Sequence, residues 1–131
     1  EDQRALRILL VEDNEVNRFQ VVSYLRETMC ELDIAEDGEV GVGVFKSGTY
    51  DLVLMDIQMP VMDGYTATRE IRKWESENGM EPTPIIALTA YALKEEEEQS
   101  LEAGCTAHIS NPVKKAPFLE AIHDHTRGVT A

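Results

Sequence analysis

The sequence predicts an α/β fold, a doubly wound parallel sheet of five strands with helices on both faces. Three observations predict it. Short apolar runs alternate with segments of helical spacing five times along the chain, and such alternation makes a parallel sheet covered by helices. Most of the runs are continuously apolar, as in strands buried on both faces. Acidic or hydroxyl residues stand just past several of the runs, and ligands of such sheets bind beyond the carboxyl ends of the strands.

The elements follow in order. Arg7 to Val11 carries Ile8-Leu9-Leu10-Val11, the first strand. It ends on Glu12-Asp13-Asn14, where Asn14 can cap a helix and Glu15 puts negative charge in its first turn. Val22, Leu25 and Met29 give that helix an inward face, and Phe19 would widen it. Leu32-Asp33-Ile34-Ala35 alternates and reads as an edge strand with one wet side. Glu36-Asp37-Gly38 is a turn. Val40, Val44 and Phe45 predict a second helix, ended by Gly48. Gly41 and Gly43 inside it each cost about 1 kcal/mol relative to Ala, so this helix is expected to be weak.

Leu52 to Asp56 is the central strand, and Met59-Pro60 with Met62-Asp63-Gly64 forces a loop after it. Ala67, Ile71 and Trp74 mark a third helix, which dissolves near Asn78-Gly79; Pro82 and Pro84 punctuate the next loop. Ile85-Ile86-Ala87-Leu88 is a doubly buried strand closing on Thr89. A helix from about Leu93 to Ala103 carries Glu95 to Glu98 and stops at Gly104. Thr106 to Ile109 is a short strand before Ser110-Asn111-Pro112, and Phe118, Leu119 and Ile122 anchor the last helix. No linker or repeat divides the chain, so residues 1–131 are expected to form one domain with its core over about 7–125. The chain starts at Glu1 without a Met, which fits a module excised from a longer protein.

Composition narrows the function. An apolar content of 43% excludes general disorder. No apolar run approaches the ~18 residues of a membrane span, and no basic-then-apolar leader is present. A net charge of −13 repels nucleic-acid backbones and anionic membranes, and it suits cations and basic patches on partner proteins. Cys30 and Cys105 match no metal-ligand spacing. They read as free thiols in a reducing cytosol, with a single bridge between them as the alternative. A cytoplasmic setting is therefore expected, with neither nucleic acid nor membrane bound by this domain.

An Asp where an apolar strand meets a loop must be solvated, paired or bound to a cation. The strand ends bring Glu12, Asp13, Asp56, Thr89 and Asn111 to one edge. Three carboxylates from two strands raise each other's pKa values unless a cation intervenes. Mg2+ suits such a group, since it prefers oxygen ligands, keeps several waters and commonly takes one or two carboxylates plus a phosphate. Thr89 can donate to a phosphoryl oxygen. The residues thus point to an Mg2+-dependent phosphoryl site with Asp56 as a nucleophile forming an acyl phosphate. Taken singly, each acidic residue is most simply a helix cap; together, each after a buried run, they are harder to read that way. The methionines near Asp56 read as packing and loop geometry, because Mg2+ avoids sulfur.

Four motifs in this order and spacing carry a family resemblance: Leu9-Leu10-Val11-Glu12-Asp13-Asn14, Leu54-Met55-Asp56-Ile57-Gln58-Met59-Pro60, Met62-Asp63-Gly64 and Leu88-Thr89-Ala90. Over about Arg7 to His125 the chain resembles a response-regulator receiver domain. Glu12 to Asn17 and Met59 to Gly64 resemble receivers of hybrid sensor histidine kinases in particular. The resemblance implies a flavodoxin-like (βα)5 fold with strand order 2-1-3-4-5. It implies Asp56 as phosphoacceptor from a phosphohistidine, on a histidine kinase or a histidine phosphotransfer domain. It implies Mg2+ at Asp13 and Asp56, with Glu12 acting through water and the Gln58 backbone carbonyl completing the protein ligands. Thr89 would be the switch hydroxyl, and Gln58 and Tyr91 would govern water access. His108 falls where the family often has a switch aromatic; a half-buried strand residue is the plainer reading. Such a domain is an acceptor that phosphorylates itself rather than a conventional enzyme. It would signal through an output domain or a homodimer formed by the last helices.

One departure stands out. The family expects a Lys before the Pro that follows the last strand, and this chain has Asn111-Pro112. A neutral amide cannot replace that ion pair. Lys114 and Lys115 lie past the Pro and read as solvent-facing. The family's usual cis bond is carried over to Asn111-Pro112. Two functions follow: a phosphorylated receiver whose output is weakened, or a degenerate receiver acting by protein interaction alone. Retention of Glu12, Asp13, Asp56 and Thr89 favours the first. Other classes fare worse. A flavodoxin-type carrier needs a phosphate loop that Glu12-Asp13 would repel. An aspartyl phosphatase would carry a second Asp at position 58, where this chain has Gln, and no Gly-rich nucleotide loop is present. Glu95 to Glu98 reads as a solvated helix face, or as a surface steering a basic partner. Trp74 reads as packing.

Overall fold

The computed structural model describes residues 5–89, 94–110 and 113–126. Ten elements alternate without exception: β1 (Leu6–Val11), α1 (Glu15–Leu25), β2 (Cys30–Ala35), α2 (Gly38–Ser47), β3 (Leu52–Asp56), α3 (Gly64–Glu77), β4 (Ile85–Thr89), α4 (Lys94–Ala103), β5 (Ala107–Ser110) and α5 (Lys115–His125). All strand pairs are parallel, in the order β2-β1-β3-β4-β5. Strand order and architecture match the expectation.

The continuous apolar runs explain the layers. Successive side chains of a strand point to opposite faces, so β1, β3 and β4 feed two cores. Leu9, Val11, Val53, Met55, Ile85 and Ala87 pack with Val42 and Phe45 of α2 and with Ala67 and Ile71 of α3. Ile8, Leu10, Leu52, Leu54, Ile86 and Leu88 pack with Val21 and Leu25 of α1 and with Phe118 and Ile122 of α5. Phe45 meets Trp74 edge-on at 5.8 Å, joining α2 to α3. Tyr24 packs on Phe118 at 5.7 Å and donates its hydroxyl to the Val113 carbonyl at 2.7 Å, joining α1 to α5.

Several helix faces differ from the periodicity reading. In α1 the inward residues are Val21 and Leu25; Val22 is only half-buried. Met29 lies past the helix end, and Phe19 is 66% exposed. With two neighbouring valines, spacing alone selects the wrong one. In α2 Val42 points in and Val40 is exposed, and Val44 only packs at the core's margin. Gly41 is the reason. A Cβ there would lie 2.7 and 2.9 Å from the two methyl carbons of Val11, so this glycine lets α2 press against β1 rather than weakening it. Gly43 has open space around it, and its propensity cost stands. β2 begins two residues earlier than expected, at Cys30, and β5 one later, at Ala107. Cys30 and Cys105 are not bridged to each other.

One partly buried ion pair is not legible in the sequence. Glu75 is buried and accepts from Arg72 Nη1 at 2.8 Å and from the Thr83 N–H at 2.8 Å. Arg72 Nε donates to the Gly104 carbonyl at 2.9 Å. The pair ties the end of α3 to the loop before β4 and to the α4–β5 turn.

Candidate functional site

The site is built at the carboxyl edge by strand register. Val11 pairs with Met55, which sets the next residues, Glu12 and Asp56, side by side. Asp56 pairs with Leu88, which puts Thr89 one step further along the adjacent strand. Asn14 caps α1 by accepting from the Asn17 N–H at 3.0 Å, and it turns the chain so that Asp13 sits at the mouth. Asp63 caps α3, accepting from the Thr66 N–H at 2.8 Å. Gly64 starts that helix hard against the strand end: a Cβ there would collide with the Asp56 carbonyl. Its N–H donates to the Ile57 carbonyl at 2.9 Å. Between them Val61 holds φ at +69°, a strained value for a β-branched residue.

Glu12, Asp13 and Asp56 each place a carboxylate oxygen within 4.8 Å of the other two. Glu12 is fully buried and Asp56 is 7% exposed, whereas Asp13 opens to solvent. Burial pushes the Asp56 carboxyl up to about 8, helped by hydrogen bonding to Glu12, the Glu12 charge and hydrogen bonding to Asp13. The Gln58 N–H, 3.3 Å from Asp56 Oδ1, acts weakly the other way. One Glu12 oxygen accepts from the Asn14 N–H at 3.2 Å. The other, Oε1, is buried and has no hydrogen-bond partner among the described residues. Such a cluster has two ways out: a proton on Asp56, shared with its neighbours, or a cation. The donor set is all carboxylate and partly open to water, which fits a hard divalent ion such as Mg2+.

The structure thus brings together the three acidic residues expected of the site and puts Thr89, 3% exposed, at the neighbouring strand end. His108 is not in this cluster. It lies half-buried on β5, with Nδ1 3.9 Å from Glu97 Oε2. Asn111, the position of the expected Lys, and Tyr91 lie outside the described residues. Lys114 and Lys115 are exposed, as expected. In the run after Lys94, Glu95, Glu97 and Glu98 are exposed and Glu96 is half-buried, with Oε1 buried and without a hydrogen-bond partner among the described residues. A cleft of about 530 Å³ opens beside Gln58, between Met59 and Pro60 on one side and Glu96 and Gln99 of α4 on the other, with Tyr65 lining it.

Arg18 escaped the sequence reading. Its Nη1 donates to the carbonyl oxygens of Glu12 at 3.1 Å and Asp13 at 3.0 Å. The available signal was its place one turn after the Asn14 cap, where its side chain can reach back over the β1–α1 turn.

Among the described residues no helix is long and apolar enough to cross a membrane. Three similarities bear on identity. The sensor protein GacS of Pseudomonas syringae pv. syringae is 37% identical over 119 residues, which are 91% of this chain and 13% of that protein. The chain therefore spans a small part of this relative's length. The receiver domain of sensor histidine kinase PA1611 from Pseudomonas aeruginosa PAO1, solved with magnesium coordinated in its active-site cleft, superposes with a TM-score of 0.82 at 39% identity. That match covers 92% of this chain and 97% of the other. A chain in the complex of the Saccharomyces cerevisiae histidine phosphotransfer protein Ypd1 with the receiver domain of Ssk1 superposes with a TM-score of 0.91 at 29% identity, covering 97% and 92%. The family model for the response regulator receiver domain matches residues 8–123, and this chain belongs to that family, as a receiver domain of two-component phosphorelay signalling.

Proposed function

We propose that Asp56 is the phosphoacceptor of this receiver, that Glu12, Asp13 and Asp56 hold Mg2+ together with the Gln58 carbonyl, and that Thr89 reads the phosphoryl group. The observation that carries the proposal is the carboxylate trio gathered at the ends of β1 and β3, with two of its three members buried. When bound, Mg2+ supplies positive charge that offsets the clustered carboxylates and the incoming phosphoryl oxygens. Asp56 must be ionised to act. An Asp56 oxygen then attacks the phosphorus of a phosphohistidine; the P–O bond forms as the P–N bond breaks, and the imidazole leaves, taking up a proton from water. Thr89 donates its hydroxyl to a phosphoryl oxygen, which couples modification to the β4 end and α4.

The proposed donor is a histidine kinase or histidine phosphotransfer domain, consistent with the Ypd1 complex of the structural relative. The proposed setting is the cytoplasm, in keeping with two cysteines that are not bridged to each other. Transmission would pass through the α4–α5 side to an output domain or a second copy. Asn111 supports a second reading, interaction without phosphorylation, because the expected positive charge is missing from the sequence. Intact-mass measurement with a small acyl-phosphate donor separates the two. Wild type should gain one phosphoryl group only with Mg2+, and Asp56→Asn should gain none. No gain in wild type under any donor would support the interaction-only reading.

A further inference from the structure

We infer that Arg18 is a positioning residue for the acidic cluster: its guanidinium fixes the Glu12–Asp13 backbone, so this cation strengthens Mg2+ binding. The inference rests on the Mg2+ site proposed above. One Arg18 nitrogen draws two consecutive carbonyls, those of Glu12 and Asp13, to 3.1 and 3.0 Å. That sets both peptide planes in the turn that aims the two carboxylates. Arg18 is itself anchored to the same turn, since its backbone N–H donates to the Asn14 carbonyl at 3.0 Å. The Glu12 N–H donates to the Ala35 carbonyl at 3.0 Å, and the Asn14 N–H donates to Glu12 Oε2. The turn is thus held from three sides, and among the described residues Arg18 is the side chain that restrains the carbonyls of both Glu12 and Asp13.

Both guanidinium hydrogen bonds of Arg18 end on carbonyl oxygens rather than on the carboxylates. A guanidinium paired with the carboxylates would occupy the oxygens a metal needs. On the carbonyls, it leaves them open. Geometry and charge then predict opposite outcomes. Removing a positive charge near a cation site tightens cation binding if charge alone matters. Removing an outer-shell support loosens binding, by about 10-fold or more.

The test is Mg2+ titration by calorimetry, at fixed pH and ionic strength, of wild type, Arg18→Gln, Arg18→Lys and Arg69→Gln. Arg69 is exposed on α3 and controls for net charge. Arg18→Gln should raise Kd about 10-fold. Arg18→Lys keeps the charge but loses the rigid planar guanidinium that holds the donating nitrogen in place, and it should fall between Arg18→Gln and wild type. Arg69→Gln should bind as wild type or slightly tighter. Equal or tighter binding by Arg18→Gln would overturn the inference. Should that variant fail to fold, Arg18→Lys decides alone, and a wild-type Kd there would overturn it. Absence of Mg2+ binding by wild type would defeat the metal-site reading itself, and this inference with it.

Discussion

Asp56→Asn should stabilise the metal-free protein, and only above acidic pH. The Asp56 carboxyl is raised from its ordinary 3.8 to about 8 by burial and by Glu12 and Asp13. Below about pH 4 both folded and unfolded chains carry the proton, and the group costs nothing. Between about pH 4 and 8 the unfolded chain releases its proton while the folded chain retains it, so stability falls as pH rises. Above about 8 the loss is complete. Two sources bound its size. Unit charges 4.8 Å apart, the limit of the oxygen separations here, repel by about 3.5 kcal/mol at an effective dielectric of 20. The carboxyl's displacement converts to at most about 6 kcal/mol. Asp13 is exposed, and water screens part of this, so about 2 kcal/mol is the expected net. The assay is urea denaturation of wild type and Asp56→Asn in chelator at pH 4, 6 and 8. Asn should be neutral at pH 4 and stabilising by about 2 kcal/mol at pH 8. A variant that is destabilised at pH 8, or whose benefit does not change with pH, would refute the electrostatic account of the site.

Three further outcomes are expected. Mg2+ should raise the thermal midpoint of wild type near pH 7, because it binds only the folded state; Asp13→Ala should remove that response, and an undiminished rise in the mutant would sink the ligand assignment. Gly64→Ala should cost about 1–3 kcal/mol, because its Cβ would displace the Asp56 carbonyl, while Gly43→Ala in open space should stabilise by about 0.5–1 kcal/mol; chemical denaturation of both checks the contrast. Glu75→Gln should destabilise by about 2 kcal/mol in the same assay, since Arg72 would lose its buried partner, and a neutral result would mean the pair is merely tolerated.

The fold was legible because β1, β3 and β4 are buried on both faces, and such strands write themselves as continuous apolar runs. The acidic cluster was legible because parallel register carries every strand end to one edge, which brings Glu12 and Asp56 together. Helix faces were less legible. Val21 and Val22 offer the same chemistry one residue apart, and only the packing of α1 on the sheet selects Val21. Gly41 looked like a helix defect because its propensity is local, while its use is a contact with Val11 thirty residues earlier in the chain. Arg18 was missed for a similar reason. Its hydrogen bonds go to backbone carbonyls, and those carry no signature in the side-chain sequence. Glu75 was missed because a charged residue on a helix is ordinarily exposed, and its partners at Thr83 and Arg72 become visible only when α3 meets the loop before β4.

The most direct test of the central claim locates the phosphoryl group. An acyl phosphate is reduced by borohydride to an alcohol, which marks the carboxylate that carried it. Wild type treated with a phosphodonor and Mg2+, then reduced and digested, should show the mark on Asp56 alone. A mark on Glu12 or Asp13, or none on any residue of the cluster, would contradict the account.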